Sequence, residues 1–221
     1  MMGCMTSDAS ATGWLVEGGS DPTAIAERYD EWAERYDEEL RSWDYRAPRV
    51  VAERVVALHP AAEAALDAGC GTGLVGRELR RAGYTGTIHG VDVSDASLEV
   101  AARDGAYTTL SSGDLQQPLP IENDSVDVVV CVGVMTYVPD VEATWREFAR
   151  IVRPGGLIVV TQREDLWDPR DCQGVIDRMS GDGIWGDVDV SEPAPYLPGN
   201  TDGMAPLGVY YLNARVSDGI D

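Results

Sequence analysis

Short apolar runs alternate with segments of helical periodicity through the middle of the chain. The run over residues 126–132 is nearly continuous in apolar residues, which is typical of a strand buried on both faces of a parallel sheet. Because helical spacing follows most of these runs, the alternation predicts an α/β fold with a doubly wound, mostly parallel sheet. The predicted strands of this unit are 64–67, 87–92, 106–110, 126–132 and 157–161.

The N-terminal part of the chain has a different pattern. Residues 1–20 are small, polar and glycine-containing, which predicts a disordered tail before a single domain over 21–221. Asp21 and Pro22 form a helix start, with an N-cap followed by proline at the first helical position. From 23 to 43 an aromatic face alternates with acidic residues at helical spacing, and a second amphipathic helix follows.

A glycine-rich turn after the first strand carries the clearest chemical signal. The segment 67–73 reads Asp-Ala-Gly-Cys-Gly-Thr-Gly, and glycine permits both positive φ and close approach of a ligand. Exposed amides at the start of the next helix favour electron-rich or negatively charged ligand groups. Residues 71–76 also match G-x-G-x-x-G, with Asp92 near the position expected in a nicotinamide-dependent oxidoreductase. Asp67 disfavours that alternative, because its carboxylate would repel a pyrophosphate and attract a cofactor that carries an amino group.

Four motifs resemble, in sequence and order, those of class I S-adenosylmethionine (SAM)-dependent methyltransferases: the segment 67–73, Asp92, Asp114 and the Arg-Pro-Gly-Gly of 153–156. The resemblance implies a Rossmann-like, seven-stranded sheet with an N-terminal helical lid, whose last two strands form an antiparallel hairpin. It also implies SAM as cofactor, S-adenosylhomocysteine (SAH) as product and a small molecule as methyl acceptor. A protein that binds SAM without catalysis remains an alternative.

The same resemblance implies a role for each acid at a strand end. Asp67 and the glycine turn would face the methionine part of SAM and its amino group. Asp92 would accept hydrogen bonds from both ribose hydroxyls, and Asp114 with the Leu115 amide would hold the adenine edge. The full predicted cofactor-binding set is Tyr29, Tyr36, Arg46, Asp67, Gly69, Cys70, Gly71, Gly73, Asp92, Val93, Leu98, Asp114, Leu115 and Val132.

Some members of this set have an alternative role in packing or at the surface. Tyr29 and Tyr36 would contact the cofactor from the lid helix, or only pack that helix on the domain. Arg46 would pair with the methionine carboxylate or with a neighbouring surface acid. Val93 and Leu98 would sandwich the adenine or belong to the core.

Two N-terminal segments narrow the resemblance. Residues 29–37 resemble the Y-D-x-W-A-x-x-Y-D segment of small methyltransferases, and residues 45–48 read Tyr-Arg-Ala-Pro. With the glycine turn, they are similar to the methyltransferase-like group that includes a protein encoded in the Williams–Beuren syndrome chromosomal region and its bacterial and archaeal relatives.

The acceptor side carries a weaker signal, and no catalytic residue is predicted. His59 falls at a helix end and His89 inside a strand, so neither is placed to face an acceptor. A base is needed only when the acceptor must lose a proton before or during attack. Candidate acceptor-side residues follow the fourth and fifth strands or lie near the C-terminus: 135–137, 162–164, Trp185, Tyr196, Tyr210 and Tyr211. Their aromatic content indicates a small, flat, mostly apolar acceptor.

Composition limits the partners and the compartment. The formal net charge is −21 and all 17 basic residues are arginine, so electrostatic binding of nucleic acid is not expected. A GC-rich genome or adaptation to a salty cytoplasm would each explain the acidity. Four scattered cysteines without a C-x-x-C pair argue against a zinc site and a disulfide framework. The sequence shows no secretory signal and no apolar run long enough to span a bilayer, which predicts a cytoplasmic protein without membrane contact; its oligomeric state is not predicted.

Overall fold

The computed structural model describes residues 14–218, which fold around one mixed β-sheet. Its strands are β1 (Ala64–Ala68), β2 (Thr87–Asp92), β3 (Thr109–Ser112), β4 (Val126–Cys131), β5 (Val152–Arg163), β6 (Trp185–Val190), β7 (Ala194–Pro195) and β8 (Gly208–Val216). Seven of them follow the order β3-β2-β1-β4-β5-β8-β6, and the two-residue β7 pairs with β8. The first five strands are parallel, whereas β8 runs antiparallel to its neighbours β5, β6 and β7. The carboxyl ends of β1 to β5 therefore share one edge of the sheet.

Helices cover both faces of this sheet. They are α1 (Trp14–Glu17), α2 (Pro22–Ser42), α3 (Ala47–Leu58), α4 (Leu74–Arg81), α5 (Asp95–Ala102), α6 (Val141–Ile151), α7 (Glu164–Trp167) and α8 (Cys172–Gly181), with a single 3-10 turn at Met135–Tyr137. One apolar core joins the sheet to α6 and α8, and Trp145 and Trp185 are fully buried in it. A second core joins the opposite face to α2, α3 and α4. This two-sided burial explains why β4 consists almost entirely of apolar residues.

The predicted fold class is confirmed, and the differences concern strand bounds. The predicted strand at 106–110 begins later, at Thr109, because Tyr107 leaves the line of the sheet and packs beneath α4. β5 is longer than predicted. It contains Arg-Pro-Gly-Gly as a bulge, since Val126 pairs with Val152 but Val128 pairs with Leu157. The predicted C-terminal hairpin is present as β6 and β8, with β7 in the connection between them.

The predicted disordered tail differs from the structure in its last residues. Residues 1–13 lie outside the described residues, but α1 follows them and packs on the domain. The ring of Trp14 stands edge-on to Tyr29 with the centroids 5.3 Å apart. The buried guanidinium of Arg163 donates to the carbonyls of Leu15 at 2.6 Å and Val16 at 3.2 Å. Aromatic burial and this cation at the helix C-terminus outweigh the polar composition of the segment.

Candidate active site

A cleft opens at the carboxyl edge of the sheet, where the parallel strands β1, β2 and β4 end. It encloses about 830 Å³, part of which is open to solvent. The glycine turn forms its floor and α2 passes over its mouth. Its lining residues are Pro22, Ile25, Tyr29, Tyr36, Tyr45, Pro48, Gly69, Cys70, Gly71, Thr72, Leu74, Val75, Asp92, Val93, Gly113, Asp114, Leu115, Gln116, Val132, Gly133, Val134, Tyr137 and Val138. In doubly wound folds ligands bind outside the carboxyl ends of the strands, as this cleft does.

The glycine turn has a backbone that side chains would not tolerate. Gly69 and Gly71 have φ values of +78° and +51°. A Cβ on Gly69 would lie 2.3 Å from the side chain of Val134 on the opposite wall. At Gly71 a Cβ would meet no atom within 4 Å, because it would project into the cleft. The turn therefore leaves a cradle that a ligand can enter, which is what a bound nucleoside cofactor requires.

Asp92, at the end of β2, links the glycine turn to the start of α5. One carboxylate oxygen accepts from the Gly71 amide at 2.7 Å and the other from the Ser94 amide at 2.9 Å. Ser94 caps α5 with its own hydroxyl, so Asp92 is not needed as the N-cap. Burial raises the pKa of Asp92, and the hydrogen bonds from the amides of Ser94 and Gly71 oppose that rise. The carboxylate is thus fixed in position, with its remaining acceptor capacity available in the cleft.

Asp114 and Leu115 lie at the far end of the cleft, in the loop after β3. The Asp114 carboxylate accepts from the Gln116 amide at 2.9 Å, which makes it a turn residue as well as a lining residue. Leu115 is buried in the core on the α6 side of the sheet and also borders the cleft. Val93 also lines the cleft. An acceptor oxygen beside an apolar wall suits the edge and face of a purine.

Tyrosine side chains form the wall opposite the glycine turn. The Tyr29 hydroxyl donates to the Tyr137 hydroxyl at 2.9 Å, and this bond joins α2 to the segment after β4. Burial raises the pKa values of Tyr29, Tyr36 and Tyr45 well above the usual value. These side chains therefore stay neutral near pH 7 and offer hydroxyl groups rather than charges.

Acidic residues on α2 anchor this helix across the mouth of the cleft. Asp37 accepts from the Thr72 hydroxyl at 2.5 Å and pairs with Arg77 of α4. Asp30 accepts from the Ser94 hydroxyl at 2.6 Å at the start of α5. Both contacts end on segments that shape the cofactor side of the cleft, so the lid and the floor are coupled directly.

Ten residues of the predicted cofactor-binding set line the cleft: Tyr29, Tyr36, Gly69, Cys70, Gly71, Asp92, Val93, Asp114, Leu115 and Val132. Asp67 does not, although it was predicted to face the methionine part of SAM. Its fully buried carboxylate lies beneath the turn and accepts from the Tyr107 hydroxyl at 2.6 Å. Burial raises the pKa of Asp67 to about 7.

The other three members of the set also lie outside the cleft lining. Arg46 is exposed and pairs through two nitrogens with Asp44, which was the surface alternative considered for it. Gly73 is the N-cap position of α4, where a φ of +91° requires glycine. Leu98 is half-buried on α5, because the helix turns that face away from the cleft.

Sequence reasoning missed several residues of the opposite wall, including Tyr45, Pro48 and Val134. Tyr45 and Pro48 belong to the Tyr-Arg-Ala-Pro segment, from which only Arg46 was assigned. Gly133 is the residue that could have indicated this wall from the sequence. Its φ is +78°, and a Cβ there would lie 2.8 Å from the Tyr45 hydroxyl, so the residue after β4 must be small for Tyr45 to approach.

Comparison with known proteins agrees with this site. A family model described as "Methyltransferase domain" matches residues 66–160. Methyltransferase-like protein 27 of Homo sapiens is 34% identical over 171 residues, which cover 71% of this chain and 66% of that protein. Demethylmenaquinone methyltransferase of Staphylococcus saprophyticus is 38% identical over 109 residues, or 48% of this chain and 46% of that protein. A solved structure of a putative SAM-dependent methyltransferase from Methanococcus maripaludis has a TM-score of 0.59 at 18% identity and covers 90% of this chain and 95% of that chain.

The sheet order and the glycine turn at its carboxyl edge define a Rossmann-like protein with the methyltransferase fold. The family match adds the chemistry to the fold, because it covers β1 to β5 with the glycine turn and all three acids. The chain belongs to the class I SAM-dependent methyltransferases, in which SAM is the methyl donor and SAH the product. The alternative of a nicotinamide-dependent oxidoreductase is therefore wrong. The chain spans about two thirds of the human relative and less than half of the staphylococcal one.

Two further features concern metal ions and membranes. Among residues 14–218, no group of three or more His, Cys, Asp or Glu side chains is arranged to hold a metal ion. Within the same part of the chain, every helix is too short or too polar to cross a membrane.

Proposed function

We propose that the protein transfers the methyl group of SAM to a small-molecule acceptor bound in a chamber beside the cofactor cleft. The proposal rests on the presence of this chamber. It encloses about 350 Å³ next to the tyrosine wall, part of which is open to solvent, and it shares Tyr29, Tyr36, Tyr45, Gly133 and Tyr137 with the cleft. We call it the inner chamber; its own lining is Leu15, Trp32, Leu40, Thr136, Arg163, Tyr196, Leu197 and Met204.

The inner chamber lies where an acceptor would have to be. Gly133 follows β4 and Arg163 ends β5, so the chamber sits beyond the two strands next to the glycine turn in the sheet. Asp92 would hold the ribose hydroxyls of SAM, and Asp114 with the Leu115 amide would hold the adenine. The methyl-bearing end of the cofactor would then point towards the tyrosine wall. SAM supplies an electrophilic methyl group on a sulfonium centre.

The described residues of the inner chamber would orient the acceptor and exclude water from it, rather than exchange protons with it. Its titratable side chains are tyrosines, held neutral by burial, and Arg163, which pairs with Asp165. Aromatic rings and aliphatic side chains exclude water and orient the acceptor, and such positioning lowers the barrier of an in-line displacement. An acceptor atom with a free lone pair or an acidic proton needs no base from the protein.

The wall also limits the chemistry of the acceptor. Trp32, Leu40, Leu197 and Met204 give the inner chamber an apolar part beside the tyrosine hydroxyls, which suits a flat molecule that also carries polar groups. Nucleic acid fits neither the chamber nor the net charge of −21. The staphylococcal relative is named for the methylation of demethylmenaquinone, and this name supports an acceptor that is not a nucleic acid. The human relative supports placing the chain in the methyltransferase-like group indicated by its N-terminal segments.

A methyl-transfer assay with isotopically labelled SAM tests the proposal. The acceptors would be single-ring phenols, thiols, amines and quinols, and products would be identified by mass spectrometry. Met204→Trp should abolish transfer because the larger ring fills the inner chamber, yet SAH should bind as in the wild type, since Met204 does not line the cleft. Leu58→Trp, at an exposed position far from the site, is the matched control. Transfer by Met204→Trp at the wild-type rate would exclude the inner chamber as the acceptor site. SAH binding without transfer to any acceptor would instead favour a non-catalytic SAM-binding protein.

A further inference from the structure

The glycine turn leaves an unusual gap on the side away from the cleft, and the ring of Tyr107 fills it. Tyr107 lies in the loop before β3. A Cβ on Gly73 would come within 3.0 Å of this ring, a Cβ on Gly76 within 2.5 Å and a Cβ on Gly90 within 3.0 Å. Glycines at the start of α4 and in β2 thus make room for this ring, and at Gly90 Leu110 and Cys70 lie as close.

The hydroxyl of Tyr107 also makes two bonds that tie these segments together. It donates to the Asp67 carboxylate at 2.6 Å and accepts from the Gly76 amide at 3.1 Å. The Gly76 amide belongs to the first turn of α4, whose amides have no partners within the helix. Gly73, at the N-cap position, has no side chain to offer them. Tyr107 therefore supplies the missing cap from another part of the chain.

We propose that Tyr107 is a positioning residue for cofactor binding, which fixes the glycine turn by joining the end of β1 to the first turn of α4. The turn has cleft on one side and Tyr107 on the other. The amides of Gly69 and Gly71 bond to the Val91 carbonyl and the Asp92 carboxylate, and Tyr107 holds the two ends of the turn, at Asp67 and Gly76. The buried Asp67 carboxylate acts through Tyr107 and not on the cofactor.

The charged and titratable groups around Asp67 are consistent with this arrangement. Tyr107 is its hydrogen-bond partner, and Asp92, Cys70 and Cys131 are the other ionisable groups that interact with it. Both thiols stay protonated, because burial raises the pKa values of Cys70 and Cys131. One Asp67 oxygen thus accepts from the Tyr107 hydroxyl, whereas the other has no hydrogen-bond partner among the described residues.

The test compares SAH affinity with the stability of the free protein. Tyr107→Phe keeps the ring but removes both hydrogen bonds, and we expect SAH to bind about tenfold more weakly, because a buried carboxylate and a helix amide lose their partner. Tyr84→Phe is the control: the Tyr84 hydroxyl also contacts only the protein, at 3.4 Å from the Thr87 carbonyl, but at the amino end of β2. Calorimetry would give the dissociation constants, and thermal unfolding without ligand would give the melting temperatures.

A double-mutant cycle makes the test specific. If Asp67 acts through Tyr107, then Asp67→Asn combined with Tyr107→Phe should weaken SAH binding no more than the larger of the two single effects. A role in stability alone predicts a lower melting temperature with an SAH affinity within twofold of the wild type, and that result would overturn the proposal. Additive losses of affinity would also overturn it, since Asp67 would then contact the cofactor independently. The inference rests on the cofactor site and not on the acceptor, so a chain that binds SAH but methylates nothing still tests it.

Discussion

Replacing Asp92 by asparagine should weaken SAH binding about 10- to 100-fold. In the structure one Asp92 oxygen accepts from the Gly71 amide and the other from the Ser94 amide. Asparagine has a single acceptor oxygen, so its NH₂ group must face one of these two amides. The proposed contacts with the ribose hydroxyls lose their charge at the same time.

The magnitude follows from the bonds that change. A hydrogen bond to a charged group is worth about 1.5–3 kcal/mol, and about 1.4 kcal/mol corresponds to a factor of ten. The loss of one such bond to the cofactor therefore gives the lower half of the expected range, and displacement of the Gly71 amide from the cradle gives the rest. The stability of the free protein should change less, because burial raises the pKa of Asp92 and a neutral side chain is easier to bury.

Titration calorimetry with SAH at pH 7.5, together with thermal unfolding of the free protein, separates these two effects. Asp95→Asn is the control, since Asp95 is an exposed acid in the first turn of α5 and does not line the cleft. An SAH affinity of Asp92→Asn within twofold of the wild type, in a protein that is folded, would refute the role of Asp92 and with it the orientation proposed for the cofactor.

Two further predictions concern the lid and the pH dependence of stability. Asp37→Ala should weaken SAH binding about tenfold, because it releases α2 from Thr72 and Arg77. Glu38→Ala, at an exposed position of the same helix, is the control and should leave the SAH affinity unchanged. Equal SAH affinities for the two variants would contradict a coupling between the lid and the floor of the cleft. The pKa of Asp67 is raised from 3.8 to about 7, so between these pH values the folded state binds a proton that the unfolded state does not. The free energy of unfolding should therefore fall as pH rises from about 4 to about 7. Urea titration of the wild type and of Asp67→Asn measures this trend. A wild-type free energy that rises relative to the variant over this interval would contradict the burial of that carboxylate.

The sequence predicts the cofactor half of the site well because this half is built from local signals. A strand, a turn and a helix start follow each other within residues 64–76, and glycine at φ near +78° or +51° is a backbone requirement that is visible in the sequence. Asp92 and Asp114 were assigned from the family resemblance, because each lies at or just after the end of a predicted strand. The parallel order of the strands then brings these two positions to one edge.

The buried position of Asp67, outside the cleft lining, shows the limit of spacing arguments. Successive residues of a strand point to opposite faces, so a carboxylate at a strand end faces either the ligand or the protein. What decides this for Asp67 is the hydroxyl of Tyr107, 40 positions away in the sequence, which no local pattern reveals. Arg46 is similar, since its surface pairing with Asp44 depends on the turn between α2 and α3.

The proposed acceptor side was predicted only in part, because its walls come from segments that are far apart in the chain. Of the acceptor-side candidates, Thr136, Tyr137, Arg163 and Tyr196 line the inner chamber, whereas Trp185, Tyr210 and Tyr211 do not. Leu15 lies in α1 and Trp32 in α2, Gly133 follows β4, and Leu197 and Met204 come from the connection before β8. None of these residues contributes to the glycine turn or to the contacts of Asp92. Substitutions in these segments can therefore change the acceptor while cofactor binding is preserved. The family match covers residues 66–160, whereas most residues of the inner chamber come from the parts of the chain on either side of that range.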